Sequence, residues 1–489
     1  MNGLGGPKMR RNRPLCLFVL LLSLLSTGCA KDTTAYEKNT YLPTTPVTLR
    51  LAGQSPSFTA LQTVFNNFKK IYPNVTVTYE YIQNYNTNIK KRFINDKAVS
   101  EGTATSAGDE IDLFITENIT STSAFKDYAL NLNGVGENIN LSQTYSGFVK
   151  NFTIQTTNEL YAVPLGGEVR GMYVNKTLLN EFNLKVPTNY AEFMSCCKTL
   201  KEAGYIPLRG NPGVFSQLMM YPYCCNLIAN ADDYQATYDK VNTIADGASQ
   251  IFYEPMHRLY EIITNYYYNY DYVENHYYRY TNGSDTGAAL DFLNAPGVTT
   301  YGSDGATVTK STDKLSRTAF LPESMSFREL LDNTKEETGI NQDYEFILSP
   351  VGDKGGFAYL SPATGIAVAR YSPHQAFALE FMNYLFNKKI NKAFAKNYYV
   401  IPNTDDAIDI FEQTFPDAAS NKRSSNLGQV TFNYVFYNPM KAALMAVSKG
   451  NKQKATYMDQ DANGNWSIYP FDHFMTLLET ELQKNKTGA

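Results

Sequence analysis

Between residues 47 and 115 the apolar residues keep changing period, and few folds accommodate the resulting order. VTLRLAG puts Val47, Leu49 and Leu51 at alternate positions, as a half-buried strand does. Phe58, Leu61, Phe65, Phe68 and Ile71 then recur at helical spacing, with Ser55 or Ser57 placed to cap the start. Tyr72-Pro73-Asn74 breaks that helix, and VTVTYEYI, from Val75, reads as a second strand. A polar stretch of helical character runs to about Ser106. Asp112-Leu113-Phe114-Ile115, after Gly108-Asp109-Glu110, reads as a third strand. A β-α-β-α-β order predicts an α/β fold with a parallel sheet. Ligands bind such sheets at the carboxyl ends of the strands. That singles out Gln54-Ser55 after the first strand and Glu117-Asn118 after the third.

The N-terminus has a separate character. Lys8, Arg10, Arg11 and Arg13 precede an apolar run of about 15 residues from Pro14, shorter than the ~20 of a membrane-spanning helix. A basic start, a short apolar core and a small residue before the cut describe a secretory signal. Gly28-Cys29 resembles the lipobox of bacterial lipoproteins, although Ser26 stands where that box usually has Leu. An ordinary signal with an incidental cysteine is the alternative. The lipobox reading makes residues 1–28 a signal peptide and Cys29 the lipidated first residue. It also expects the chain on the outer face of the cytoplasmic membrane, since several acyl chains anchor stably. Residues 30–46 are polar, Thr-rich and Pro-containing, which suits a tether. No later segment is apolar enough to span a membrane.

The remaining length of about 460 residues exceeds one core, so two domains or lobes are expected. The formal charge of −4 becomes about −8 once the signal's four basic residues leave, which argues against nucleic acid as a partner. There are 37 Tyr and 28 Phe against a single Trp, Trp466. Tyr offers an apolar face and a hydroxyl, a combination suited to sugars; an AT-rich genome gives the same bias. Tyr266 to Tyr280 reads as one or two ring-lined helices. Cys196-Cys197 and Cys224-Cys225 remain after Cys16 and Cys29 are set aside. Disulfides are permitted outside the cell, and one cross-bridge between the pairs is expected, with two also open. The spacing does not suit zinc. His257, His276, His374 and His473 are scattered singly, and no H-E-x-x-H, G-x-S-x-G or P-loop motif occurs. The chain is therefore read as not an enzyme and as needing no cofactor, with a two-carboxylate glycosidase as the surviving alternative.

FNNFKKIYPNVTVTYEYI followed by DEIDLFIT resembles the start of an extracellular solute-binding protein of an ABC transporter, in the carbohydrate-binding, maltose-binding-like branch. Several later stretches continue the resemblance in the family's order. These are Tyr161 to Pro164, Tyr173-Asn175-Lys176, Val186-Pro187-Thr188, and Leu200-Lys201 through Gly204 to Pro207. ATGIAVARYSPHQAFALEFMNYLFN and Tyr399-Val400-Ile401-Pro402 resemble the strand-helix pair and crossing that follow. The likeness covers most of residues 47–405.

The resemblance implies a two-lobe periplasmic-binding-protein-like fold with a ligand cleft between lobes. Residues 47–163 plus 345–398 would form one lobe, and 165–343 plus 400–489 the other. Glu168 lies four residues past Pro164, where maltose-binding relatives put a cleft Glu, and Arg170 shares its side if extended. The two read either as partners of sugar hydroxyls or as an ion pair with each other. Arg209, Asn211 and Phe215, in and after a Gly/Pro-rich loop, are candidate second-lobe contacts, and Phe357 and Tyr359 are candidates in the Gly355-Gly356 loop. Tyr399 completes the set at the crossing. With Tyr398 it reads as packing, or as the phenolate pair of iron-binding relatives. The expected function is capture of a small polar ligand, most plainly an oligosaccharide, by hinge closure for delivery to ABC permease subunits. The protein would be a monomer held to the membrane by its lipid. A surface enzyme acting on polysaccharide and an adhesive lipoprotein are the rival readings.

Overall fold

The computed structural model of the chain describes residues 36–54, 58–116, 124–154, 156–209, 215–243, 245–265, 267–268, 289, 292–293, 298–301, 308–311, 317–415, 458–460, 466–468 and 471–486. Cys29 and the signal-like segment lie outside these residues, as does most of the Tyr266–Tyr280 cluster. Among the described residues no helix is long and apolar enough to cross a membrane.

The early elements follow the expected order: β1 (Val47–Gly53), α1 (Thr59–Ile71), β2 (Val75–Tyr81), α2 (Tyr85–Ser100) and β3 (Leu113–Thr116). β1 runs parallel to β2, with Val47 opposite Val75, and parallel to β3, with Leu51 opposite Leu113. The alternation buries Leu49 and Leu51, and the helical period buries Leu61, Val64, Phe65 and Phe68 along one stripe of α1. Phe58, not a serine, holds the N-cap position of α1 and provides no side-chain bond there.

The chain then passes through β4 (Val163–Pro164) into β5 (Gly166–Asn175). Helices α3 (Tyr190–Glu202), α4 (Phe215–Ala229) and α5 (Tyr253–Thr264) follow, then β6 (Phe320–Ser324), α6 (Arg328–Thr338), β7 (Tyr344–Ile347) and β8 (Tyr359–Pro362). β9 (Gly365–Val368), α7 (Gln375–Leu385), α8 (Lys388–Tyr398) and β10 (Ile401–Pro402) return the chain to the start of β5, and α9 (Phe471–Lys486) lies near the C-terminus.

Two five-stranded sheets result. The first has the order β2-β1-β3-β9-β4, and β9 runs antiparallel to both β3 and β4, so this sheet is mixed where a parallel one was expected. The second is built on β5, which is antiparallel to β6, β7, β8 and β10. Arg170 pairs with both Ser324 and Tyr359, and Gly167 with both Pro362 and Ile401, so each edge of β5 carries two short strands end to end. Because β7 and β8 both pair with β5, residues 344–362 belong to the second sheet. The return to the first sheet falls at Ala363-Thr364, not near 345. Phe148 also crosses the expected division, packing with Val169, Leu360 and Ile401 of the second sheet.

The second sheet's larger core gathers Phe193, Leu200, Met219, Met220, Leu259, Phe320 and, from α9, Leu478 and Leu482. Cys196, Cys197, Cys224 and Cys225 are buried in that same core, and none is in a disulfide, so the expected cross-bridge is not formed. A thiol there fills space as a small apolar group. Burial pushes the Cys197 and Cys224 thiols well above their usual range, which keeps them protonated.

Candidate functional site

Among the described residues three stretches pass from the first sheet and its helices to the second, side by side. Leu165 joins β4 to β5, Ala363-Thr364 joins β8 to β9, and Tyr399-Val400 joins α8 to β10. They are bonded to one another: Leu165 N–H donates to the Thr364 carbonyl at 2.9 Å and Ala363 N–H to the Gly166 carbonyl at 2.8 Å. A Cβ on Gly166 would sit 2.7 Å from the Ile401 carbonyl oxygen, so only glycine lets the third stretch approach. Two fully buried asparagines complete the knot. Asn391 Nδ2 donates to the Leu165 carbonyl at 3.2 Å, Asn403 Nδ2 to the Pro164 carbonyl at 2.7 Å, and Asn403 N–H to Asn391 Oδ1 at 2.7 Å.

Polar and aromatic side chains collect around this knot. Period-two alternation sends Val169 into a core and leaves Glu168 and Arg170 half-buried on the other face, 3.4 Å apart. Ser326, just after β6, donates its hydroxyl to Glu168 Oε1 at 2.5 Å. Asp332 on α6 accepts from Tyr399 at 3.2 Å, from Arg328 Nε at 3.0 Å and from the Tyr344 hydroxyl. The Arg328 guanidinium lies over the rings of Tyr344 and Tyr399, 4.9 and 5.8 Å from their centroids. On the first sheet's side, Phe58 stands 4.9 Å from Tyr398 and 6.0 Å from Tyr79, ring centroid to centroid. The Tyr79 ring lies so close over Gly53 that a Cβ there would meet its hydroxyl at 2.3 Å.

Burial raises the phenols of Tyr398, Tyr399 and Tyr344, and the Asp332 carboxylate raises the last two further. They stay protonated and serve as hydroxyl donors at neutral pH. Among the described residues no group of three His, Cys, Asp or Glu side chains is placed to hold a metal ion. Tyr399 adopts φ 55°, a left-handed conformation uncommon for a bulky residue. It ends α8 there, donating its N–H to the Ala395 carbonyl.

The structure thus brings Glu168, Arg170 and Tyr399 together. Gln54 is exposed just beyond β1. Glu117 and Asn118 follow β3 directly but lie outside the described residues, as does Asn211. Phe215 begins α4 and Tyr359 begins β8, opposite Arg170 in the ladder. Arg209 is buried, its N–H donating to the Phe320 carbonyl at 3.0 Å. Phe357 stacks flat on Tyr223, centroids 4.6 Å apart, and so packs on the second core. Phe58 was read only as the start of a helical stripe, and Tyr79, Ser326, Arg328, Asp332 and Tyr344 were not singled out as site residues in the sequence. Arg328 and Asp332 have the i,i+4 spacing of an ordinary helix ion pair, and nothing local reveals that Tyr399 faces it. A surface depression of about 510 Å³, lined by Glu110, Arg370 and Ser372 among others, lies at the opposite end of β3 and shares none of these residues.

The sequence model of the bacterial extracellular solute-binding proteins matches residues 52–392. The chain belongs to that family. A curated relative, the multiple sugar-binding protein of Streptococcus mutans, is 24% identical over 196 residues, spanning 40% of this chain and 42% of that relative's length. Among solved structures, the solute-binding protein RafE in complex with raffinose has a TM-score of 0.54 at 15% identity, covering 90% of this chain and 100% of RafE. The GacH receptor of Streptomyces glaucescens, solved unliganded and with acarbose, has a TM-score of 0.54 at 12% identity, covering 90% of this chain and 98% of GacH. With these the chain shares the two-lobed binding-protein fold.

Proposed function

We propose that this family member captures an oligosaccharide between its lobes and hands it to an ABC permease. The observation that carries this reading is the grouping of Glu168, Arg170, Ser326, Asp332, Tyr398 and Tyr399 at the crossings, where a ligand would touch both lobes at once. The chemistry suits a sugar: a carboxylate to accept from hydroxyls, a guanidinium and protonated phenols to donate, and Phe58, Tyr79 and Tyr398 to cover apolar ring faces. Relatives and neighbours named for sugars, raffinose and acarbose among them, support the same class. Contact with both lobes only in the shut form lets a ligand shift the population toward closure. The lobes would divide at Leu165, Ala363-Thr364 and Tyr399-Val400, with Cys29 as the lipid anchor holding the protein outside the cytoplasmic membrane.

A thermal-shift panel of mono- and oligosaccharides, amino acids, peptides and polyamines tests the class. Free ligand at 100 times its Kd stabilises the fold by about 2.7 kcal/mol, a shift of a few degrees. The expected result is a shift with an oligosaccharide that Glu168→Ala abolishes. Stabilisation by a peptide or polyamine alone, or release of smaller sugars on incubation, would overturn it.

A further inference from the structure

The depression at the far end of β3 is a firmly built place with two charges that nothing neutralises. Beyond that end the chain before β3 and the chain after β9 stay side by side, because Ala369 N–H donates to the Asp112 carbonyl at 2.9 Å. Ser106 and Glu110 line the depression from before β3, Arg370 and Ser372 from after β9, and Val99 and Ser100 from the end of α2. The loop after β9 is pinned. Ser372 donates its hydroxyl to the buried Asp112 carboxylate at 2.5 Å and accepts from the His374 N–H at 2.9 Å, and Gln375 Nε2 donates to the Arg370 carbonyl. Glu110 is only 8% exposed, accepts from the Ser106 hydroxyl, and forms no ion pair among the described residues. The Ser106 bond, with Arg50 and His374 at longer range, outweighs burial and holds its carboxyl below the usual range, so it is charged at neutral pH. Arg370 donates Nε to the Ala129 carbonyl at 3.2 Å and Nη2 to the Lys126 carbonyl at 3.4 Å. Both acceptors are neutral, and Arg370 too has no ion-pair partner among the described residues. Charges withdrawn from water are ordinarily paired. Here an acid and a base line one depression and do not pair with each other.

We propose that this depression is a second ligand site, which takes a small zwitterion with its ammonium group on Glu110 and its oxyanion on Arg370. Such a ligand supplies to each side chain the opposite charge it lacks, through charge-assisted hydrogen bonds, and a guanidinium suits a carboxylate or a phosphate alike. A volume of about 510 Å³ is within the range of small-molecule sites. A free α-amino acid and the ethanolamine phosphate headgroup of a lipid share this chemistry. The site shares no residue with the group at the crossings, so it fills independently of any sugar bound there.

Calorimetric titration of the full chain tests this, with the proteinogenic amino acids and phosphoethanolamine as probes and with wild type, Glu110→Gln, Arg370→Gln and Glu168→Ala as proteins. Glutamine at 110 keeps an acceptor for Ser106 and removes the charge, and unchanged melting temperatures would show that the variants fold. At least one probe should bind the wild type saturably. Glu110→Gln and Arg370→Gln should each weaken it about tenfold or more, since each loses a charge-assisted bond, and Glu168→Ala should leave it unchanged. Binding of an amino acid would support a free solute as the source, and binding of phosphoethanolamine alone would support a lipid headgroup. Binding of no probe, or full affinity in either Glu110→Gln or Arg370→Gln, would overturn the site and leave sugar capture standing. Binding lost in Glu168→Ala would put the zwitterion at the crossings and overturn it as well. A panel in which no sugar binds would defeat the proposed function and leave this measurement unaffected.

Discussion

Asp96 is a carboxylate only 2% exposed, held by the Ile111 N–H at 3.1 Å through Oδ2, while its Oδ1 has no hydrogen-bond partner among the described residues. Burial pushes its pKa from 3.8 to about 6, against the Ile111 bond and nearby Arg92. The folded protein thus binds this proton more tightly than the unfolded chain does. The stability this gives is fully present below about pH 4 and is lost as pH rises through about 6. It amounts to about 3 kcal/mol at most. Asp96→Asn keeps an acceptor for Ile111 and removes the charge. Urea unfolding at pH 7 should show it about 1–3 kcal/mol more stable than wild type, with the gap closing by pH 4; a less stable variant at pH 7 would contradict this. Tyr399→Phe is a smaller test. It removes one bond to Asp332 and leaves Arg328 and Tyr344 in place, so a loss of about 1 kcal/mol is expected. Glu168 was named in the sequence only through the resemblance, which puts a cleft Glu four residues past the crossing; alternation then set Arg170 on the same side. Asp332 was not named, because its partners Tyr344 and Tyr399 are brought to it only by the fold.

Among elements, the apolar stripe of α1 and the alternation of β1 could be read directly, since each depends on neighbours a few residues away. The second sheet could not. Its central strand β5 pairs with strands more than 140 residues later in the chain (β6, β7, β8 and β10), and no local period records that. The expected division near residue 345 failed for this reason. The crossing knot was hidden likewise: Asn391 and Asn403 look like surface polar residues until both are found fully buried, each donating to a carbonyl at a crossing. Asn391→Ala leaves the Asn403 N–H and the Leu165 carbonyl without this partner in the interior. Chemical denaturation should register a loss of about 2–4 kcal/mol. Phe148→Ala opens a cavity against Gly167 and should cost about 3–5 kcal/mol. A change below 1 kcal/mol in either variant would mean the crossings are held by something else.

For the molecule as a whole, the proposed closure would change the angle between two sheets that share three crossings while each keeps its own core. The knot would confine that motion to a few backbone positions, and the polar group beside it is where both lobes would reach one ligand. The β-α-β-α-β opening and the order of later motifs made the two-lobed class readable from sequence. The side chains facing one another across the cleft were only partly so, because strand and helix periods say which face a residue takes and not what lies opposite. The most direct test of the central claim is calorimetric titration of the full chain with oligosaccharides, raffinose and maltose included, alongside scattering at each endpoint. The account predicts saturable binding of one sugar per chain, a smaller radius of gyration on saturation, and loss of both in Glu168→Ala. Sugar binding with no change of shape and full affinity in Glu168→Ala would contradict it.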